Sequence, residues 1–418
     1  MNNLDNCFRK IYGKEKKVLE YHTRRYNKLY RQYCELFGED DNVTYFSSPG
    51  RVELSGNHTD HNGGKVIAAS INLDSIGCIS PQNNVIEIFS EGFEEKIHVD
   101  LNELNPIKEE AGTSSSLVRG VAAGFVKKGY SIGGFKGVVS SDVLVGSGLS
   151  SSASFEILVG TILNHFYNDD KVPMHLLAQI GQYSENIFFG KPCGLMDQIA
   201  CAIGGVVAID FKNNNNPNIE QIKFDLVDHD YKLLVVYAGA SHQNLTDDYA
   251  SIPKEMKEVA QFFGKENCSQ ISFNEFLNNL SKLYSSVSNR ALIRAIHFFK
   301  ENERVANQVK ALKEDNLDKF LKLVNESGDS SFKYLQNIFS PKDVNEQPLS
   351  VALSISENFI SERKRGACRV HGGGFAGTIL VFLHKDDIAE YQEIIEPVFG
   401  KHSVNILDIR NIGATVLM

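Results

Sequence analysis

The chain has 418 residues, of which 42% are hydrophobic and 23% charged, so it is long enough for two domains with sizeable cores. Its formal net charge of −9 argues against nucleic acid and anionic membrane as partners. The charge leaves ATP open, because a phosphate site depends on local amides and a few cations. We therefore expect no nucleic-acid or membrane partners. We also expect a monomer.

The seven cysteines are scattered, and no CxxC pair or Cys/His cluster indicates a zinc site. Reduced thiols in the cytoplasm are the simplest interpretation of such cysteines. The N-terminal residues are too polar for a signal peptide, and no apolar run reaches the roughly 18 residues of a membrane span. These features predict a cytoplasmic protein.

Helices and strands are predicted to mix along the whole chain. Apolar spacing predicts helices at residues 1–37, 114–128, 151–166, 252–263, 289–314, 317–325 and 387–399. Apolar and β-branched runs predict strands at 66–71, 75–80, 85–90, 137–141, 204–211, 232–237, 378–384 and 413–417. This mixture predicts an α+β fold with antiparallel strands. An asparagine run that ends in Pro217 predicts a loop, and we place the domain boundary there, between residues 1–211 and 212–418.

The most informative segment is PGRVELSGNHTDHNGG at residues 49–64. It places Arg51, Asn57, His58 and Asp60 close together between glycines, which let the backbone approach a ligand. Short polar side chains on such a loop can converge on the hydroxyls of a small polar molecule. A planar, permanently charged guanidinium can approach both a phosphoryl group and a sugar oxygen.

A second motif, DVLVGSGLSSSAS at residues 142–154, precedes a predicted helix. The N-terminus of a helix carries unsatisfied N–H groups and suits a polyphosphate, although a serine-capped helix after a turn explains the pattern equally well. The segment lacks the GxxxxGK[ST] pattern of a Walker loop and the third glycine of a dinucleotide fingerprint.

A third glycine run, HGGGFAG at residues 371–377, contains GxGxxG but leads into a predicted strand, so it is not a dinucleotide fingerprint. If the glycine run has no functional role, it is explained as a tight turn into a core strand. Three further residues are candidates for a functional site, and each also has an ordinary structural explanation. Asp197 could cap a helix, Glu185 could be a solvated side chain, and Tyr249 could be an exposed or core tyrosine.

Together these motifs closely resemble the signature of galactokinases, within the family that also holds homoserine, mevalonate and phosphomevalonate kinases. GLSSSAS at 148–154 resembles the family's ATP loop, residues 366–377 resemble its third motif, and PCGLMDQ at 192–198 resembles its CGxMDQ motif. Leu144 stands where the family usually has proline. The resemblance implies a two-domain α+β fold with the active site in the cleft between domains, and a third motif packed beside the phosphate loop.

The resemblance also implies the reaction, which is transfer of the γ-phosphoryl group of ATP to O1 of galactose or a close relative, with Mg²⁺. Asp197 would be the base and Arg51 would stabilise charge, while Ser152 and Glu185 would hold the metal. The implied ATP-binding residues are Gly146, Ser147, Gly148, Leu149, Ser150, Ser151 and Ser152. The implied sugar-binding residues are Arg51, Asn57, His58, Asp60, Gly194, Asp197 and Tyr249.

One position departs from the pattern, because Asn57 stands where galactokinases carry Glu. An amide both donates and accepts hydrogen bonds, whereas a carboxylate only accepts them. We expect a neutral, galactose-type sugar. The alternatives are a kinase for another sugar, such as galacturonate or N-acetylgalactosamine, and a catalytically weak galactose sensor that regulates transcription. Intact Arg51, Glu185 and Asp197 argue against the sensor.

Overall fold

The computed structural model describes residues 2–93, 95–143, 146, 148–213, 216–239 and 245–417. The chain forms two compact units. Unit 1 comprises Met1–Arg51, Ser70–Gly205 and Arg410–Met418, and unit 2 comprises Val52–Ala69 and Val206–Ile409. The chain passes between the units four times, whereas the sequence-based division has one boundary, at 211/212; that division and the placement of the active site in a cleft stay predictions.

Helices and strands are distributed along the whole of the described chain. The helices are α1 (Asn2–Tyr12), α2 (Lys16–Phe37), α3 (Ser114–Lys127), α4 (Ser151–Asn168), α5 (Met174–Ser184), α6 (Met196–Ile203), α7 (Thr246–Phe262), α8 (Phe273–Asn278), α9 (Leu280–Tyr284), α10 (Asn289–Lys313), α11 (Leu317–Ser330), α12 (Pro348–Arg363) and α13 (Ile388–Phe399). The strands are β1 (Thr44–Ser55), β2 (Lys65–Gln82), β3 (Val85–Ser90), β4 (Ile97–Asp100), β5 (Gly134–Ser141), β6 (Val206–Asp210), β7 (Asn218–Ile222), β8 (Tyr231–Gly239), β9 (Ala367–His371), β10 (Gly377–His384), β11 (Val404–Leu407) and β12 (Thr415–Leu417).

Unit 1 is built on a mixed sheet with the strand order β12-β1-β2-β5-β3-β4. Successive side chains of a strand point to opposite faces. Accordingly Ile79 and Val139 pack with α3, α4 and α5, while their neighbours Cys78 and Val138 pack with α1 and α2. Both faces are thus covered by helices, and α4 begins after the loop that follows β5.

Unit 2 contains an antiparallel sheet with the order β11-β8-β10-β9. Ile379 and Val381 of β10 pack with α12 and α13. Phe382, on the opposite face, contacts Phe320 of α11 with ring centroids 5.7 Å apart. Helices α7, α8 and α10 form a separate apolar cluster, and β6 pairs with residues 65–69 of β2. Among the described residues no helix combines the length and apolar composition needed to cross a bilayer.

The mixed α+β fold is confirmed, and three local predictions were wrong. Residues 49–55 belong to the buried strand β1, so the loop of the first motif begins only at Gly56. Gly50 serves a close approach instead of a turn, since an added Cβ would lie 2.8 Å from the carbonyl of Leu149. The strands expected at 66–71 and 75–80 are one strand, β2, and the first predicted helix is two helices separated at Gly13, where φ is 88°.

A buried ionic cluster joins distant parts of unit 1. The Asp74 carboxylate accepts hydrogen bonds from Arg25 at 2.5 Å and from Arg410 at 2.9 Å. The hydroxyls of Tyr12 and Ser47 donate to it at 2.6 and 2.5 Å. Burial would raise the pKa of Asp74, but the two guanidinium groups outweigh burial and lower that pKa to about 2. The carboxylate therefore stays ionised and fully buried.

We predict that Asp74→Asn lowers the free energy of unfolding at pH 7 by about 3–5 kcal/mol, because two buried guanidinium groups lose their counter-charge. Because the folded-state pKa lies below the unfolded value of 3.8, this contribution is present above pH 3.8 and is lost as the pH falls towards 2. The difference in the free energy of unfolding between Asp74→Asn and wild type should therefore narrow as the pH falls from 3.8 towards 2. Urea unfolding measures both effects, with the exposed Asp41→Asn as control; a loss below about 1 kcal/mol, typical of a surface pair, would contradict the prediction.

Candidate active site

A bidentate ion pair forms the centre of the candidate site in unit 1. Arg51, on β1, donates from Nε to Asp197 Oδ1 at 2.6 Å and from Nη2 to Oδ2 at 2.5 Å. Asp197 lies in the first turn of α6, and its side chain keeps 29% of its surface exposed. Burial would raise the pKa of Asp197, but Arg51 and the Ser150 hydroxyl outweigh burial and lower it. The site thus holds an ionised carboxylate that a ligand can reach.

The glycine–serine loop is bound to the same pair. Arg51 Nη1 donates to the carbonyl of Gly148 at 2.6 Å, and the backbone N–H of Arg51 donates to the carbonyl of Leu149 at 3.1 Å. Ser150 adopts a left-handed conformation with φ of 60°, and its hydroxyl donates to Asp197. Such strain in a non-glycine residue is typical of functional loops.

Two other residues expected to bind ATP, Gly146 and Ser151, lie on either side of those just described. Gly146 also has a positive φ, of 78°, and Ser151 is the first residue of α4. Two positions noted in the sequence, Ser147 and Leu144, lie outside the described residues. The N-terminus of an 18-residue helix therefore follows the loop, as a phosphate site requires.

Ser152 and Glu185, which the family resemblance implies as metal ligands, lie in contact. The Ser152 hydroxyl donates to Glu185 Oε1 at 3.1 Å, so two hard oxygen donors converge. Gln198 Nε2 donates to Glu185 Oε2 at 3.0 Å and to Glu156 Oε2 at 3.1 Å. Burial, followed by the charge of Glu185, raises the pKa of Glu156 well above its ordinary value. The raised pKa favours the neutral form of the Glu156 carboxyl, which Gln198 joins to Glu185.

The donor set fits Mg²⁺, which takes oxygen ligands and usually keeps waters and phosphate oxygens in its shell. The described residues contain no cluster of three or more His, Cys, Asp or Glu side chains suited to a metal. Lys191 Nζ lies 3.5 Å from Glu185 Oε1, so a cationic group already neighbours this carboxylate.

In unit 2, Asn57 follows Gly56 at the end of β1 and is fully buried. Its Nδ2 donates to Glu53 Oε1 at 3.0 Å and to the carbonyl of Gly372 at 2.6 Å. Its Oδ1 accepts from Asn337 Nδ2 at 2.7 Å. Glu53 supplies a carboxylate here, four residues before position 57, where galactokinases carry Glu. It forms an ion pair with the fully buried Arg369 at 2.9 Å.

Two other predicted sugar residues contact the same glycine run. His58 Nε2 lies 2.8 Å from the carbonyl of Gly373, and the Tyr249 hydroxyl donates to the carbonyl of Gly374 at 3.0 Å. Burial lowers the pKa of His58 to about 4 and raises the pKa of Tyr249 to about 12, so both are neutral at pH 7. The third motif thus holds the first motif through its backbone.

Asp60 and Gly194 complete the predicted residues. Asp60 begins a short 3₁₀ turn in unit 2, and its Oδ1 lies 3.7 Å from His61 Nε2. Gly194 lies in unit 1, in the loop before α6. That loop is held by α5 and the turn after it, since Asn186 Oδ1 accepts from the N–H of Cys193 at 2.7 Å.

Sequence reasoning missed the residues that hold the predicted ones in place. Gln198 had a signal, because it ends the quoted CGxMDQ motif, and Glu156 lies one helical turn after Ser152. No sequence signal indicated a further supporting residue, Glu301 of α10, which accepts a hydrogen bond from the N–H of Gly56 at 3.1 Å. Contacts at such sequence separations depend on the tertiary fold.

Two family signatures match the chain. The GHMP kinases N terminal domain matches residues 93–205, and the galactokinase galactose-binding signature matches residues 31–81. The chain is 32% identical over 277 residues to a galactokinase of Pyrococcus furiosus, covering 66% of this chain and 74% of that protein. It is 29% identical over 381 residues to a galactokinase of Clostridium tetani, covering 90% of this chain and 92% of that protein.

A solved structure is similar over nearly its whole length. The crystal structure of Lactococcus lactis galactokinase complexed with galactose superimposes with a TM-score of 0.78 at 26% identity, covering 92% of this chain and 98% of that chain. The resemblance inferred from the motifs is therefore confirmed at the level of sequence and of fold.

We predict that Gly374→Ala destabilises the protein by about 2–5 kcal/mol, the sum of a left-handed conformation and overpacking. Gly374 has φ of 78°, and an added Cβ would lie 2.1 Å from the carbonyl oxygen of Asn337. Gly372→Ala is the matched control, because Gly372 has φ of 68° with no atom within 4 Å of the added Cβ. Denaturant unfolding should show a loss of only about 1–2 kcal/mol for Gly372→Ala. Equal losses of unfolding free energy in the two variants would mean that the close approach of Gly374 to Asn337 adds nothing to the cost of the substitution.

Proposed function

Because the chain belongs to the galactokinase family, we propose that it transfers the γ-phosphoryl group of ATP to the anomeric hydroxyl of galactose. The observation that carries this proposal is the ionised, ligand-accessible Asp197, held by Arg51 beside the phosphate loop. The chain is a sugar kinase, a phosphotransferase with an alcohol group as acceptor.

Asp197 is proposed to accept the proton of the anomeric hydroxyl. A general base must be ionised before it acts, and the depressed pKa provides that at neutral pH. Arg51 holds the carboxylate in one orientation through two hydrogen bonds, and its charge would offset the negative charge that develops on the transferred group. Phosphoryl transfer needs such alignment and neutralisation more than covalent chemistry.

The loop from Gly146 to Ser152 is proposed to bind the triphosphate through backbone N–H groups at the start of α4. Ser152 and Glu185 would hold Mg²⁺, which when bound neutralises phosphate charge. Gln198 and Glu156 keep the Glu185 carboxylate in place. Lys191, whose side chain is 65% exposed, can leave Glu185 when a metal ion takes its position.

His58, Asp60 and Tyr249 are proposed to bind ring hydroxyls of the sugar, with Gly194 contributing from the loop before α6. A catalytically weak sensor is not favoured, because all four groups are present in hydrogen-bonded pairs. The proposed base Asp197 binds Arg51, and the proposed metal ligands Ser152 and Glu185 bind each other. The test of the function as a whole is ADP release from ATP with galactose, compared with galacturonate and N-acetylgalactosamine.

We expect Asp197→Asn to lower kcat for galactose by at least about 100-fold, the scale of a lost general base. ATP binding, measured by calorimetry, should be kept, because the phosphate loop and the metal ligands are unchanged. Asp41→Asn, an exposed substitution of the same type, is the control and should keep wild-type turnover. Near-normal turnover by folded Asp197→Asn would remove this residue from the mechanism.

Ser152→Ala should raise the Mg²⁺ and ATP concentrations needed for half-maximal activity by about tenfold or more, as expected when one oxygen at a metal site is lost. Galactose binding without nucleotide should stay the same. Ser114→Ala, at the exposed first residue of α3, is the control. If calorimetry shows lost galactose affinity with retained ATP affinity, the assignment of the two ligands is reversed.

A further inference from the structure

Helix α2 contacts the start of the glycine–serine loop, although none of the predicted site residues lies on this helix. Asp142 is the first residue after β5 and the first residue of the motif at 142–154. Its Oδ2 accepts a hydrogen bond from the Tyr21 hydroxyl at 2.9 Å and lies 3.1 Å from Nη1 of Arg25. Two side chains of α2 therefore converge on one carboxylate at the point where the loop begins.

Arg25 links this carboxylate to the buried Asp74 of β2. Its Nη1 also donates to Asp74 Oδ1 at 2.5 Å, and its Nη2 donates to the backbone carbonyl of Asp74 at 2.7 Å. The backbone N–H of Asp142 donates to the same carbonyl at 3.0 Å. A guanidinium group presents its N–H donors in a rigid plane, so one arginine can bind two carboxylates at once. Arg25 thus fixes Asp142 relative to β2.

The contribution of α2 to this region is geometry and not free charge. The charge of Arg25 is matched by Asp74 and Asp142, and its side chain is only 7% exposed. Burial, followed by the hydrogen bond to Asp142, raises the pKa of Tyr21, so its hydroxyl keeps its proton. Neither residue therefore offers a nucleotide an unmatched positive charge.

The other end of the motif is bound to the next residue of the same strand. Ser154, in the first turn of α4, is fully buried, and its Oγ lies 2.9 Å from Oγ of Ser75. Ser75 Oγ lies 2.9 Å from Ser141 Oγ, which accepts a hydrogen bond from the N–H of Val143 at 3.1 Å. Asp74 and Ser75 thus connect to both ends of the glycine–serine motif.

We propose that Tyr21 and Arg25 are positioning residues for the nucleotide, which hold Asp142 so that the phosphate loop is in place before ATP arrives. A site that is in its binding conformation for only a fraction of the time shows an affinity reduced by that fraction. Loss of the α2 contacts should therefore weaken the binding of ATP and leave that of galactose unchanged. This inference rests on the proposed kinase function, to which it adds two residues that act only through Asp142.

Tyr21→Phe is the sharpest test, because it removes the hydrogen bond to Asp142 and changes no charge. The KM for ATP should rise about three- to tenfold, the effect of one lost hydrogen bond, while kcat at saturating ATP stays within about twofold of wild type. Calorimetry should show the same loss for ATP with Mg²⁺ and an unchanged affinity for galactose without nucleotide. Tyr284→Phe, at a tyrosine that is 65% exposed in unit 2, is the control. An unchanged KM for ATP, with or without a fall in kcat, would overturn the inference.

A double-mutant cycle separates an effect through Asp142 from a general effect of α2. Asp142→Ala should raise the KM for ATP at least about threefold, although removal of a negative charge alone would favour an anionic nucleotide. In that chain Tyr21→Phe should raise the KM no further, because the partner of its hydroxyl is already absent. Asp41→Ala, at an exposed aspartate, is the control. A lowered KM in Asp142→Ala, or an equal effect of Tyr21→Phe in both chains, would contradict positioning through Asp142.

Arg25→Lys tests the guanidinium group itself. Lysine keeps the charge but lacks the planar fork that binds both carboxylates, so the KM for ATP should rise at least about threefold. Because Arg25 also pairs with the buried Asp74, urea unfolding of the variant is measured and turnover is compared under conditions where the protein is folded. Arg24→Lys, at the exposed neighbouring position, is the control. A wild-type KM for ATP in folded Arg25→Lys would remove Arg25 from the proposal.

Amide hydrogen exchange makes the test independent of turnover. Without any ligand, the N–H groups of Asp142 and Val143 should exchange at least about threefold faster in Tyr21→Phe than in wild type, because the start of the loop opens more often. If no sugar gives ADP, the proposed function is wrong, and exchange together with ATP binding then decides this inference. Faster exchange with weaker ATP binding supports it. Unchanged exchange, unchanged ATP affinity, or no binding of ATP to wild type overturns it.

Discussion

The ion pair between Arg51 and Asp197 is the interaction on which the arrangement of the candidate site in unit 1 depends. One guanidinium group orients the carboxylate, offsets the effect of burial on its pKa and fastens the carbonyl of Gly148. These effects are linked, because the same cation that lowers the pKa of Asp197 also binds the carbonyl of Gly148 in the glycine–serine loop. A neutral residue at position 51 would leave a half-buried carboxylate that tends to hold its proton, and a loop without its anchor. Arg51 lies on β1, a rigid element, which suits a group that must be placed accurately.

Unit 2 depends instead on buried hydrogen bonds that join the loop after β1 to the glycine run at residues 372–374. Charges are present there, but Glu53 and Arg369 neutralise each other inside the protein. Helix α10 adds to this buried network through Glu301, which accepts a hydrogen bond from the backbone N–H of Gly56.

Much of this could be predicted from the sequence, and the limit has a physical cause. The α+β class and the helix after the glycine–serine loop were predicted from local patterns, and the family from its motifs, whereas the pairing of Ser152 with Glu185 was implied only by the family resemblance. The strand at residues 49–55 was mistaken for a loop because proline and glycine usually mark turns, while here Gly50 allows the backbone of Leu149 to come close. The burial of Asn57 was also unforeseen. Its partners, Gly372 and Asn337, lie hundreds of residues away in sequence, and spacing carries no information on such contacts.

The Asp74 cluster has a consequence for how the chain acquires its structure during synthesis. Asp74 and Arg410 are separated by 336 residues, yet they share one buried hydrogen bond. At the usual rate of translation, roughly 5–20 residues per second, Asp74 leaves the ribosome on the order of 20–70 s before its partner. In that interval Arg25 is the guanidinium partner available to Asp74, and the strand that pairs with β1 at residues 45–47 does not yet exist. Unit 1 therefore completes its core only after residues 410–417 have been made, although its helices α1 and α2 are made well before them.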